Sequence, residues 1–159
     1  MTQPPLTIAV SSADASAKLA ENLAARLQPG DSLLFFGPIG AGKTHVCRHL
    51  IQSLLNIPED VPSPTFTLVQ TYDTRSGEIW HADLYRLSDP DEVQELGLSD
   101  AFQSAICLIE WPDRLGDDAP ADALHVTIEP DPDHEDKRHI TFDWTDPKWP
   151  DRLEGLQHD

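Results

Sequence analysis

Positive charge is scarce in this chain: 11 Lys and Arg stand against 28 Asp and Glu, a formal net charge of −17 over 159 residues. A surface that binds nucleic acid neutralises phosphates with Lys and Arg. Direct contact with tRNA or DNA is therefore disfavoured. Long apolar runs are missing too, and none approaches the ~20 residues that cross a bilayer. The opening residues, Met1 to Ile8, lack the basic start and apolar stretch of a secretory signal. A cytoplasmic protein with no membrane partner is the expectation. Only two cysteines occur, Cys47 and Cys107, in apolar surroundings and without metal-ligand spacing. They read as small buried core residues rather than as a disulfide or metal framework.

The acidic excess concentrates late in the chain. Residues 110–159 hold 15 Asp and Glu against 5 Lys and Arg, −10 of the total, and Asp131 to Asp136 reads as a solvated acidic loop. Hydrophobic content of 39% with 25% charged residues is that of a globular chain, and the length suits a single domain over residues 1–159. Leu6 to Val10 reads as a strand. Ser12 or Asp14 then caps a helix whose Leu19, Leu23 and Leu27 share one face, and Gly30 ends it. Ser32 to Phe36 is a short apolar run of the kind that forms a buried strand in a parallel sheet. From Lys43, the positions Val46, Leu50, Leu54 and Ile51, Leu55 define a second helix that stops before Pro58. Phe66 to Tyr72 and Glu78 to Asp83 form a hairpin around Asp73 to Gly77. Asp89 and Pro90 start a further helix, with Gly97 as its stop. Ala105 to Ile109 is another doubly buried strand, ending on Glu110. Leu124 to Glu129 and Arg138 to Trp144 make a final antiparallel pair, and Trp149 to Leu156 is a short terminal helix or a frayed tail. The fold class expected is α/β: a P-loop NTPase-like three-layer sandwich, its central sheet mostly parallel with an antiparallel C-terminal pair.

Between the second strand and the second helix lies Gly37-Pro38-Ile39-Gly40-Ala41-Gly42-Lys43-Thr44, which satisfies G-x-x-x-x-G-K-[ST]. Gly40 and Gly42 allow backbone conformations closed to other residues, so that amides from Ile39 to Thr44 converge on phosphate oxygens. The helix beginning near Lys43 adds its positive dipole end. Lys43 is placed to reach the β- and γ-phosphates of ATP, and the Thr44 hydroxyl to ligate Mg²⁺. Such a site needs an acid at the end of a neighbouring strand. Two candidates exist: Glu110, at the carboxyl end of the most continuously apolar strand, and Asp83, which closes the strand before it.

Five blocks in order then resemble one family: Gly37 to Thr44; Ser63-Pro-Thr-Phe-Thr-Leu-Val69; His81-Ala-Asp-Leu-Tyr-Arg-Leu87; Glu95-Leu-Gly-Leu98; and Ile109-Glu-Trp-Pro112. They are similar to the successive motifs of the TsaE (YjeE) family, small bacterial ATPases required for threonylcarbamoyl-adenosine biosynthesis on tRNA. The resemblance implies that Thr44 and Glu110 are associated with Mg²⁺. It makes Asp83 the acid needed for hydrolysis or metal positioning. Ser63, Pro64 and Thr65 would form a switch-like loop over the γ-phosphate; a rigid turn set by Pro62 and Pro64 is the other reading. Trp111 would lie near the nucleotide, and Arg138 resembles a basic residue near the base. Arg86 has two open readings, a phosphate ligand or a partner of a local acid such as Asp89.

Guanine specificity is unsupported, because the only asparagines, Asn22 and Asn56, are not in an Asn-Lys-x-Asp context. A small-molecule P-loop kinase is the stronger rival, although its usual arginine-rich lid is absent: the seven arginines are scattered. The expectation is an ATPase, weak alone, acting by nucleotide-controlled docking on threonylcarbamoyl transferase subunits of the TsaD and TsaB type. With so acidic a surface, tRNA would be reached only indirectly, through those partners.

Overall fold

In the computed structural model, which describes residues 3–57, 59–62, 68–87, 89 and 91–156, the short apolar runs become strands of one seven-stranded sheet. The strands are β1 (Leu6–Val10), β2 (Ser32–Phe36), β3 (Val69–Thr74), β4 (Gly77–Asp83), β5 (Ile106–Glu110), β6 (Leu124–Pro130) and β7 (Arg138–Asp143), in the spatial order β1-β7-β6-β2-β5-β4-β3. The expectation of a mostly parallel sheet does not hold. The central pairs β6–β2, β2–β5 and β5–β4 are parallel, whereas β1–β7, β7–β6 and β4–β3 are antiparallel. The added antiparallel pair comes from β1, which returns to the sheet edge beside the last strand, a choice its own five residues do not encode.

Helices cover both faces because β2 and β5 are apolar on both. Leu33, Phe35, Ile106 and Leu108 pack with α1 (Ala13–Ala24) and α2 (Lys43–Leu54). Leu34, Cys107 and Ile109 pack with Val93 of α3 (Glu92–Glu95) and with Leu98 and Ala101 of α4 (Leu98–Ser104) on the other face. Each such fully buried aliphatic side chain contributes about 1.5–3 kcal/mol. Ser12 caps α1, its Oγ accepting from the Ala15 N–H at 3.1 Å. The α2 face read from the sequence is the buried one: Val46, Leu50, Ile51 and Leu54 are all in the core.

The start read at Asp89 is carried by hydrogen bonds: its Oδ1 accepts the Asp91 N–H and its carbonyl the Glu92 N–H, both at 3.0 Å, ahead of the single short turn α3, and Pro90 lies outside the described residues. Gly97 does stop that turn, but its left-handed backbone (φ 80°) also opens α4, so one glycine serves two helices. The C-terminal segment is no frayed tail. In α5 (Trp149–Leu153), Trp149 is fully buried, its indole N–H donating to the Asp122 carbonyl at 2.8 Å. Arg152 holds the buried Asp31 through Nε at 2.7 Å and through a second nitrogen at 3.1 Å, and Lys148 reaches the same carboxylate at 3.2 Å. Both cysteines are buried and unpaired, as expected, and burial pushes the Cys107 thiol up to about 12. Among the described residues no helix is long and apolar enough to cross a membrane.

Candidate functional site

The parallel strands β2, β5 and β4 end side by side, and their register decides what meets there. Phe35 aligns with Glu110 across β2–β5, and Asp83 aligns with Glu110 across β5–β4. Side chains at paired positions point to the same face, so the two acids stand together at the carboxyl edge, on the side covered by α2. The loop from Gly37 to Gly42 leaves β2 and turns directly into α2. Gly42 takes a left-handed conformation (φ 110°) at the helix start. Gly37 is required for a different reason. A Cβ there would sit 2.4 Å from the Ile128 carbonyl oxygen, so the root of the loop lies flush against β6.

These elements enclose a cleft of about 390 Å³. Its lining includes Ile39, Gly40, Gly42, Lys43 and Thr44 from the loop and helix start, with Asp83, Arg86, Glu110 and Trp111 opposite. Most of the residues singled out from the sequence therefore converge. Ala41 turns into the core instead, 2% exposed. Arg138 lies in an adjoining depression of about 230 Å³ with Ala41, Gly42, His45 and Asp136; its Nε donates to the Ala41 carbonyl at 3.1 Å. Thr65, with Ser63 and Pro64, lies outside the described residues.

Each of the cleft's polar side chains Thr44, Glu110, Asp83 and Lys43 has a protein partner. The Thr44 hydroxyl donates to Glu110 Oε1 at 2.6 Å. The other oxygen, Oε2, is 2.7 Å from His81 Nε2. Glu110 is 2% exposed and His81 not at all, so the His81 contact is fully buried, whereas the Thr44 contact lies part-buried at the cleft floor. Asp83 is held by its own turn, Oδ1 accepting the Tyr85 N–H at 3.0 Å. The Lys43 ammonium folds back on the loop, donating to the Gly37 and Pro38 carbonyls, and lies 3.9 Å from the centre of the Trp111 ring. Burial holds its pKa below the usual lysine value, against the opposing pull of Glu110 and Asp83. Trp111 sits in a left-handed conformation (φ 58°) uncommon for a non-glycine residue, and Tyr85 packs against it with ring centres 4.9 Å apart.

His81 stands in the third sequence block, where spacing alone gives it no task. The signal was there: in a strand that ends on Asp83, residue 81 shares the face of residue 83. Tyr85 and His45, which also line the cleft, carried no such signal.

In the acidic loop, Asp131 accepts from His139 Nε2 at 2.7 Å and from the Asp133 and His134 N–H groups. The His139 contact first, then those amides, hold its carboxyl at about 2, below the ordinary 3.8. Because the folded value is depressed, the stabilisation is complete above the ordinary value and is lost as pH falls from 3.8 towards 2. A carboxyl NMR titration is expected to give about 2 for Asp131. In His139→Ala the midpoint moves back towards the ordinary value.

Comparison with known proteins places this arrangement. The family described as "Threonylcarbamoyl adenosine biosynthesis protein TsaE" matches residues 10–140. Among curated relatives, a tRNA threonylcarbamoyladenosine biosynthesis protein TsaE of Bacillus subtilis is 36% identical over 125 residues, 78% of this chain and 76% of that one. The Rickettsia bellii protein of the same name is 37% identical over 119 residues, covering 75% and 83%. The matched segment spans 57% of the length of the Rickettsia felis protein, at 45% identity, and 61% of the Rickettsia conorii protein. The crystal structure of YdiB from Bacillus subtilis superposes with a TM-score of 0.76 at 26% identity, covering 99% of this chain and 97% of that one.

Proposed function

The chain belongs to the TsaE family of threonylcarbamoyl adenosine biosynthesis proteins, and on that premise we propose that it is a Mg²⁺-dependent ATPase serving threonylcarbamoylation of tRNA. The observation that carries the reading is the pairing of Thr44 with Glu110 at 2.6 Å on the floor of a cleft walled by the glycine-rich loop. A hydroxyl and a carboxylate, Thr44 and Glu110, are the hard oxygen donors that suit Mg²⁺, with Asp83 beside them. When bound, the ion would neutralise charge on the β- and γ-phosphates.

The chain's own residues do the rest. Loop amides and the α2 start receive the phosphates. Lys43 leaves the Gly37 and Pro38 carbonyls to bind the β- and γ-phosphate oxygens. Asp83, fixed by the Tyr85 N–H, orients a water and takes its proton. The water oxygen bonds to the γ-phosphorus as the bond to the β–γ bridging oxygen breaks, and ADP leaves with that oxygen. Trp111 and Tyr85 keep bulk water from one wall of the cleft.

The net charge of −17 favours a protein partner over tRNA as the surface contacted, and we assign that role to threonylcarbamoyl transferase subunits of the TsaD and TsaB type. Hydrolysis then alters the affinity of docking through the Ser63 to Thr65 segment. ATP turnover is expected to be slow for the protein alone and severalfold faster with those subunits. Turnover that instead demands a small hydroxylated metabolite, and yields its phosphate ester, would show a kinase.

A further inference from the structure

Glu110 is a buried carboxylate with work at only one of its oxygens. Oε1 faces Thr44; Oε2 points away from the cleft into the space between α2 and β4, where it meets His81 Nε2 at 2.7 Å. A buried carboxylate oxygen needs a donor, and the paired oxygen also fixes the plane of the group. His81 is itself enclosed. It is fully buried, with the Cys47 thiol of α2 on another side: the nearest ligand-type atoms of Cys47, His81 and Glu110 all lie within 4.8 Å of one another. Its second nitrogen, Nδ1, meets no hydrogen-bond partner among the described residues. An orphaned polar atom in the core opposes folding, and an apolar side chain at this position would avoid it. Packing therefore does not account for an imidazole here, whereas the bond from Nε2 does.

We infer that His81 is a positioning residue: by donating Nε2–H to Glu110 Oε2 it fixes the carboxylate so that Oε1 stays with Thr44, and so sets the affinity of the site for a divalent cation. The inference rests on the proposed ATP and Mg²⁺ reading of the cleft. It assigns His81 no contact with nucleotide or ion. His81 acts through Glu110, as partners of metal-binding carboxylates generally do, at about 10–100-fold in affinity or activity.

Two polar substitutions separate the two ring nitrogens. The Gln amide nitrogen reaches roughly where Nε2 sits, and the Asn amide nitrogen roughly where Nδ1 sits. Mn²⁺ binding in the presence of ADP, followed by electron paramagnetic resonance, gives the ion affinity, and ADP binding in chelator gives the metal-free nucleotide affinity. His81→Asn is expected to weaken Mn²⁺ about 10–100-fold and His81→Gln to stay near wild type. Metal-free ADP affinity should be the same in all three proteins. Equal Mn²⁺ affinities for the two variants, or a parallel loss of metal-free ADP binding, would overturn the inference, as would a Gln variant that does not fold. A second measurement needs no variant. In ring ¹⁵N spectra of the wild-type protein, His81 should carry its proton on Nε2, and a proton on Nδ1 alone excludes the donation. Wild-type protein that binds no nucleotide fails the ATP reading itself, before His81 is reached.

Discussion

Lys43→Ala should lower the ATPase rate by about 10²–10³-fold, the usual loss when one preorganised donor to a developing negative charge is removed. Lys43 is the cation that the loop holds at the cleft, 6% exposed. Its ammonium is kept by the Gly37 and Pro38 carbonyls and the face of Trp111. The same geometry says that stability should change little. Burial lowers the Lys43 pKa, so the charged form opposes folding at pH values below that shifted pKa. Losing it relieves that penalty, while the Gly37 and Pro38 carbonyls and the two acids lose a partner. The effects oppose each other. A melting temperature within about 4 °C of wild type, roughly 1 kcal/mol for a domain of this size, is expected beside the collapse in rate. Steady-state ATP hydrolysis and a thermal melt check both halves, and turnover at the wild-type rate would remove Lys43 from the mechanism.

Glu110→Ala should cost both rate and stability. Thr44 and His81 each lose their acceptor, and for His81, which is fully buried, a donor left unpaired costs about 1–3 kcal/mol. Glu110→Gln separates the two losses. Its amide oxygen can still accept from Thr44, and its NH₂ can face His81 once the imidazole moves its proton from Nε2 to Nδ1. Stability should therefore be largely kept while the anionic ligand is gone. Both variants should lose Mg²⁺-stimulated hydrolysis by about 10²–10³-fold, and only the alanine variant should melt clearly earlier. A Gln variant with wild-type Mg²⁺ dependence would mean that the carboxylate charge is not what the site uses.

The elements that build the cleft were legible because their signals are local. Leu33 to Phe36 and Ala105 to Ile109 are apolar at every position, the pattern of strands buried on both faces, and the glycine-rich loop carries its own spacing. From strand ends alone Glu110 and Asp83 could be named, but not ranked. The structure separates them: Glu110 meets Thr44, and Asp83 is held by the Tyr85 N–H. What was illegible depends on distant partners. The edge position of β1 is set by pairing with β7, more than a hundred residues away. For Trp149 to Leu156 a short helix and a frayed tail could not be told apart, because what anchors the segment, the Asp122 carbonyl for Trp149 and Asp31 for Arg152, lies far away in sequence. The helix Leu98–Ser104 was hidden by Gly97, read as a terminator when it is also a starting point.

All five recognisable sequence blocks end by Pro112, which invites the idea that the first two-thirds of the chain is a minimal working fragment. The contact at Gly37 argues otherwise. The root of the glycine-rich loop rests on the Ile128 carbonyl of β6, and the loop's own Ala41 carbonyl is held by Arg138 of β7. The late hairpin, with no motif of its own, is thus the bench on which the loop is mounted. Dissecting the chain after its last motif would keep Lys43, Thr44, Asp83 and Glu110 and discard the surface that holds the loop in place.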